Sequence, residues 1–312
     1  MSLLQTNRPR IAIPMPHGSD PKYAERTIPQ YERAIALAGG KPIRISLHQT
    51  AAEIRTIIEN CDGVLLPGSK ADVDPARFHA PRSPRTAASD PRRDEVDNLL
   101  LDDAFRLRKP ILGICYGLQS LNVYRAGSLI QHIRDFLPEE TRARVNHEAG
   151  GKVPVVHSVA IDRSSLLAEI LSTDGISSNG SSESKTRDPS ADLHDRGRYA
   201  FRSVESSDAD SSSSEPEGPK LILPVNSSHH QSADNIGASL RVTARCPDDG
   251  IIEALEGTAA DHFLLAVQWH PERSVDDDPA SRAIFRAFLE AAQARVRDNI
   301  AAPTNPTSSN SN

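Results

Sequence analysis

Aromatic side chains make up only 4% of this 312-residue chain, and cysteine occurs three times, at positions 61, 115 and 246. Three widely spaced thiols form no even-numbered disulfide framework, and no Cys-x-x-Cys pair is present to hold a metal. Long apolar runs are missing as well: none approaches the roughly 18 residues of a membrane span. Nor does an apolar core follow basic residues at the N-terminus, so the expected location is the cytoplasm, a reducing compartment. Positive charge is in deficit, with a formal net charge of −6, which argues against a broad basic face for nucleic acid or a membrane surface. The arginine-rich stretch Arg82 to Arg93 reads as solvated loop, and no internal repeat is evident.

Hydrophobic residues amount to 38%, a little low for a globular chain, and the deficit is concentrated rather than spread. Residues 172–219 are rich in serine with charges of both signs, and 299–312 is mostly Pro, Thr, Ser and Asn. Such composition cannot bury enough surface to offset ordering entropy, so both are expected to be disordered, the first as an insertion in one domain spanning 8–298.

The apolar pattern alternates in the first half. Strands are expected at Arg10 to Pro14, Pro42 to Leu47 and Val64 to Leu66, and helices at Arg26 to Ala38, Ala51 to Asn60 and Asp94 to Arg108. Four such alternations signal an α/β fold with a parallel sheet covered on both faces, in which ligands bind beyond the carboxyl ends of the strands. Past Gly127 the pattern becomes isolated strands at Val153 to Ile161, Leu221 to Val225, Leu240 to Cys246, Ile251 to Leu255 and Phe263 to Gln268. A hairpin turn is expected at Pro247 to Gly250, and a closing helix at Ala280 to Arg297.

Chemistry concentrates at Gly113-Ile114-Cys115-Tyr116-Gly117, between the apolar strand Ile111 to Ile114 and a helical repeat of Leu118, Leu121, Asn122 and Arg125. Glycines flanking a cysteine at a strand-to-helix corner are the thiol counterpart of the Gly-x-Ser-x-Gly nucleophile elbow. The helix N-terminus is expected to lower the thiol pKa. A free cysteine is also commonly just a small buried hydrophobe, so the rest of the chain decides. His270 lies in Gln-Trp-His-Pro-Glu just past an expected strand, with Glu272 placed to orient the imidazole as a third triad member would. Asn226 to Gln231 follows another strand and reads as a polar substrate pocket. Its adjacent histidines, 229 and 230, would not point to one site, and no His-x-x-x-His supports a metal. For His17, His48, His79, His132, His147, His157, His194 and His262 the sequence offers only a default surface or core role.

Gly-Ile-Cys-Tyr-Gly-Leu-Gln at 113–119 and Val-Gln-Trp-His-Pro-Glu at 267–272 resemble the elbow and His-x-Glu segment of class I glutamine amidotransferase-like proteins. Leu-Pro-Gly-Ser-Lys-Ala-Asp-Val-Asp-Pro at 66–75 and Val-Asn-Ser-Ser-His-His-Gln at 225–231 narrow the resemblance to the gamma-glutamyl-gamma-aminobutyrate hydrolases, of peptidase C26 type, over roughly residues 8 to 296. The resemblance implies a flavodoxin-like three-layer αβα sandwich with a mostly parallel central sheet and a small antiparallel portion. It implies Cys115 as nucleophile, His270 as general base and acid, Glu272 as orienting carboxylate, and the backbone N–H groups of Gly68 and Tyr116 as the oxyanion hole. It places Gln119 beside the glutamyl part and Asn226, Ser227, His229, His230 and Gln231 along the substrate, with neither metal nor organic cofactor. A small gamma-glutamyl substrate, a role in polyamine catabolism and a homodimer go with it.

Tyr116 stands where these hydrolases often carry Arg, which is expected to alter recognition beside the nucleophile. Three other functions are weighed on the sequence: a glutaminase subunit supplying ammonia to a partner synthetase, a hydrolase of folate polyglutamate or another gamma-glutamylated amine, and a non-catalytic binding protein, which the presence of all three triad residues disfavours.

Overall fold

The computed structural model of the chain describes residues 8–149, 155–173 and 220–301. The start of the strand expected from Val153, most of the serine-rich segment (174–219) and the tail from 302 lie outside the described residues.

The first half alternates as its periodicity predicts: β1 (Arg10–Pro14), α1 (Pro21–Leu37), β2 (Lys41–Ile45), α2 (Ala51–Glu59), β3 (Gly63–Leu66), α3 (Pro91–Leu107), β4 (Ile111–Ile114) and α4 (Tyr116–Tyr124). Two helices begin earlier than the apolar repeat indicates, and for one reason. Each opens on Asp-Pro: Asp20 accepts from Tyr23 N–H at 2.9 Å and Asp90 from Arg93 N–H at 3.2 Å, while the proline, lacking an N–H, suits the first helical position. The stretch Arg82 to Arg93 is therefore not all solvated loop. Its end is the first turn of α3, and Arg93 is fully buried because its charge is paired with Asp97.

The second half contributes β5 (Leu129–Ile130), short helices α5 (Ile133–Phe136) and α6 (Glu139–Arg142), β6 (His157–Ile161), α7 (Leu166–Thr173), β7 (Leu221–Val225), β8 (Ser232–Ala233), β9 (Leu240–Arg245), β10 (Ile252–Gly257), β11 (Leu264–Val267) and α8 (Pro279–Ala301). Among the described residues one sheet runs β2-β1-β3-β4-β11-β10-β9-β6-β7, and β5 pairs with β8 in a second, small one. Strands β2 through β11 in that order are mutually parallel, and the remaining four ladders are antiparallel. The mostly parallel sheet thus carries the expected antiparallel portion, in which the turn at Gly250 (φ 75°) reverses the chain between β9 and β10.

Strand alternation divides the core in two. Ile11, Ile13, Leu65, Leu112, Ile114, Leu265 and Val267 pack toward α1, α7 and α8, where Ile28, Leu167 and Phe288 meet them. Ala12, Val64, Leu66, Ile111, Leu264 and Ala266 pack toward α2, α3 and α4 through Ile58, Leu100 and Leu118. The result is the αβα layering.

The central order β3-β4-β11 has a direct consequence for chemistry. Leu66 pairs with Gly113 and Val267 with Ile114, so Gly68, Cys115 and His270 leave the carboxyl ends of three adjacent strands. The elbow needs its glycines to reach this position: a Cβ on Gly117 would lie 2.1 Å from the Leu66 carbonyl oxygen, and one on Gly113 3.0 Å from the Gly117 backbone. Replacing Gly117 with Ala must push β3 and α4 apart. We expect a loss of roughly 3 kcal/mol of unfolding free energy, in the upper range for overpacking; a denaturation midpoint equal to wild type would show the approach to be dispensable.

Candidate active site

Cys115 has φ 53° and ψ −106°, a conformation disfavoured for any residue with a Cβ, and is held in it by its N–H donating to the Val267 carbonyl at 2.8 Å. Burial pushes its thiol up to about 12; Arg273 and the Tyr116 N–H pull the other way without overcoming it. The lowering expected at a helix N-terminus is therefore outweighed by desolvation. Cys115 rests as a thiol.

His270 Nδ1 lies 2.8 Å from Glu272 Oε1, with both side chains buried. Burial holds the imidazole below its ordinary value despite the carboxylate, whereas Glu272 is held below the carboxylate range because His270 and Arg273 outweigh its own burial. A neutral His270 donating from Nδ1 to Glu272 leaves Nε2 with a lone pair free to accept a proton. Its backbone is clamped from outside the motif: the His270 N–H donates to Asn226 Oδ1 at 2.9 Å, and Asn226 Nδ2 donates to the His270 carbonyl at 3.1 Å.

Gly68 joins these two groups. A Cβ there would stand 3.1 Å from His270 Cε1 and 3.6 Å from Cys115 Cβ. Its N–H donates to the buried Tyr31 hydroxyl at 3.0 Å, so this donor is occupied in the resting chain. The loop bearing Gly68 is fixed by Arg93, whose guanidinium donates to the carbonyls of Pro67 (2.7 Å) and Pro16 (3.2 Å) and to Asp97 (2.6 Å). The same guanidinium lies 4.9 Å from the centre of the Tyr116 ring, and the Tyr116 hydroxyl donates to Asp94 at 2.7 Å. Tyr116 is thereby buried with its side chain against Arg93 and Asp94. Its backbone N–H, by contrast, points at the Cys115 sulfur.

Gln119 and the segment 226–231 form the frame behind the histidine. Gln119 Nε2 donates to the Gln231 carbonyl at 3.0 Å and to Gln268 Oε1 at 3.3 Å, and Gln231 Nε2 to the Gln131 carbonyl at 3.2 Å. Ser227 meets His157 Nε2 at 2.7 Å, and His229 turns inward toward Glu253. Asn226, Ser227, His229 and Gln231 are buried. His230 keeps partial exposure, with Nε2 2.9 Å from Asp72, which holds its pKa above the ordinary value against its burial.

Several of these partners carry no signal in sequence. Tyr31 is 37 positions from the N–H it accepts, and His147, His157 and Glu253 converge on His229 from separate segments. Arg93 follows Asp-Pro, and that cap is the one available clue to its helix.

A family model described as Peptidase C26 matches residues 14–194 and 211–272. The gamma-glutamyl-gamma-aminobutyrate hydrolase PuuD of Escherichia coli K12 is 29% identical over 94% of this chain and 96% of its own length. A protein of Rickettsia prowazekii described as glutamine amidotransferase-like is 28% identical over 88% of this chain and 90% of its own. The crystal structure of a Thermoplasma acidophilum protein described as part of a GMP synthase superposes with a TM-score of 0.52 at 14% identity, covering 95% of this chain and 99% of that one; it shares the fold.

Because the thiolate is the reactive form, alkylation of Cys115 by iodoacetamide should keep accelerating as pH rises past the ordinary cysteine value of about 8.5. A rate that levels off near pH 7 in a peptide-mapped assay would mean that Cys115 is ionised at rest. Asn226→Ala should lower kcat at least about tenfold with little change in unfolding temperature, since a misplaced catalytic group costs rate before stability.

Proposed function

Since the chain belongs to the peptidase C26 family of cysteine-dependent amide hydrolases, we propose that it cleaves the gamma-glutamyl amide bond of gamma-glutamyl-gamma-aminobutyrate or a similar gamma-glutamyl amine. The observation that carries this reading is the meeting of Cys115, His270 and Gly68 at three adjacent strand ends, with Glu272 on His270 Nδ1. The similarity to PuuD over nearly its full length supports the choice of amine.

In this mechanism Cys115 Sγ attacks the gamma carbonyl while its proton passes to His270 Nε2. A neutral thiol beside a neutral imidazole requires that transfer to accompany attack, and Glu272 stabilises the imidazolium that forms. The Tyr116 N–H faces the developing oxyanion, and the Gly68 N–H joins it by leaving the Tyr31 hydroxyl. His270 then protonates the amine as the C–N bond breaks, giving a gamma-glutamyl thioester. A water molecule, deprotonated by His270, attacks the thioester; glutamate departs and the thiol regains its proton. The elbow motif set read from the sequence and this geometry require no metal or organic cofactor for any step.

The test is release of glutamate from a panel of gamma-glutamyl amides, including glutamine and gamma-glutamyl-gamma-aminobutyrate. We expect the latter to have the larger kcat/KM, Cys115→Ala to abolish turnover, and Glu272→Gln to lower kcat by about 10²-fold or more while the protein stays folded. Turnover retained by Cys115→Ala, or no release from any amide in the panel, refutes the assignment.

A further inference from the structure

Behind the catalytic histidine, three imidazoles from separate segments meet the carboxylate of Glu253. His147 Nδ1 lies 3.2 Å from Glu253 Oε1, His157 Nε2 3.5 Å and His229 Nε2 3.5 Å, and the four ligand atoms all lie within 4.8 Å of one another. The histidine side chains are 3%, 2% and 1% exposed and that of Glu253 is 0%. Glu253 is aimed inward by a bulge: Ile252 pairs with Arg245 and Ala254 with Ala244, so Glu253 is the extra residue of β10.

The other nitrogen of each histidine is already committed to an oxygen. His147 Nε2 is 2.7 Å from Asp249, His157 Nδ1 3.0 Å from the Ser158 carbonyl, and His229 Nδ1 2.9 Å from the Gln231 carbonyl. A carbonyl can only accept, so His157 and His229 carry protons there; as neutral imidazoles they turn their other nitrogens' lone pairs inward, that of His229 to Glu253 and that of His157 between Glu253 and the Ser227 hydroxyl. His147 Nδ1, His229 Nε2 and both Glu253 oxygens lack any hydrogen-bond partner. Lone pairs facing a fully buried carboxylate repel it unless a cation lies between them. One proton on His147 would satisfy one of the three contacts and the Ser227 hydroxyl occupies a second at His157, which leaves the lone pair of His229 Nε2 against the carboxylate.

We propose that His147, His157, His229 and Glu253 bind a divalent transition-metal ion, zinc above all, as a closed four-coordinate site that fixes the wall behind His270. Bonds of about 2.0–2.2 Å in a tetrahedron separate ligand atoms by about 3.3–3.6 Å, which matches the three distances to Glu253 Oε1. The carboxylate and carbonyls behind the imidazoles are the usual outer partners of metal-bound histidine. The Ser227 hydroxyl, which now faces His157 Nε2 at 2.7 Å, turns aside when the metal takes that lone pair. The site is structural: all four ligands are protein groups, and no position is left for substrate.

The test uses the untagged full-length protein, stripped with chelator, loaded with zinc chloride, dialysed and measured by plasma mass spectrometry. We expect one zinc per chain, an unfolding temperature several degrees above the stripped protein, and visible absorption of a tetrahedral ion when cobalt(II) replaces zinc. Glu253→Gln and His229→Ala should each retain less than a tenth of an equivalent. His230→Ala, whose imidazole faces Asp72 instead, should retain the full equivalent. Because the wild-type stoichiometry decides by itself, a variant that fails to fold leaves the test intact. Fewer than 0.1 zinc per wild-type chain, or loss of zinc in Cys246→Ser with retention in His229→Ala, overturns the proposal. The second result would move the ion to the neighbouring His147, Cys246 and Asp249 set.

Discussion

The approach of the Gly117 backbone to the Leu66 carbonyl is the constraint from which the site geometry follows. No side chain fits between them, so the first turn of α4 rests directly on the end of β3. That contact fixes how far the elbow stands from the Gly68 loop, and it forces Cys115 into a positive-φ corner between two elements that cannot separate. Backbone strain of this kind, of order 1–3 kcal/mol, persists only where the surroundings overdetermine it. Here the surroundings are β3 and β11 on either side of β4, and Arg93 beneath. One guanidinium binds the ends of β1 and β3 through Pro16 and Pro67 and stacks under Tyr116 of the elbow helix. A fully buried arginine is tolerated because Asp97 neutralises it and two carbonyls each take one more of its donors.

Burial then decides the charge state of Cys115 and His270. Water is kept from Cys115 and His270 alike, and desolvation disfavours both the thiolate and the imidazolium. The site therefore stores a neutral pair rather than an ion pair. Glu272 stays ionised because the imidazole and Arg273 face it, so the negative charge in the resting site lies on the Nδ1 side of His270. Orientation comes from Asn226, which engages both backbone groups of His270 and leaves its ring free for Glu272 and the thiol.

How much of this is legible in the sequence follows from how local each arrangement is. The elbow and the His-x-Glu segment are short runs whose chemistry lies within a few residues, and the alternating apolar pattern carries the order of the first four strands. The meeting of the two runs is not local. It depends on β11 lying beside β4, a pairing across some 150 positions that only the folded sheet displays. Arg93 is hidden because the charge density near it looks like loop, and only the Asp90-Pro91 cap marks the start of its helix. The segment 226–231 reads as polar and near the site, and the partners its side chains bond to lie in distant segments. Adjacent residues of extended chain face opposite ways, so His229 turns inward to Glu253 while His230 reaches Asp72.

That division of labour along one short loop links the two buried polar clusters. Asn226 grips His270, Ser227 touches His157, and His229 faces Glu253, all within four residues. The Glu253 carbonyl in turn accepts the Gln268 N–H at 2.8 Å, two residues before His270. The backbone of His270 is therefore held from two directions: directly by the Asn226 side chain, and through Gln268 by the backbone of Glu253, whose side chain belongs to the histidine–carboxylate cluster. A neutral polar wall could not do the same, since its hydrogen bonds would be exchangeable with water wherever the loop opened. A cluster built around a carboxylate at zero exposure can open only by stranding that charge in a low-dielectric interior, which makes opening costly and the position of His270 correspondingly sharp.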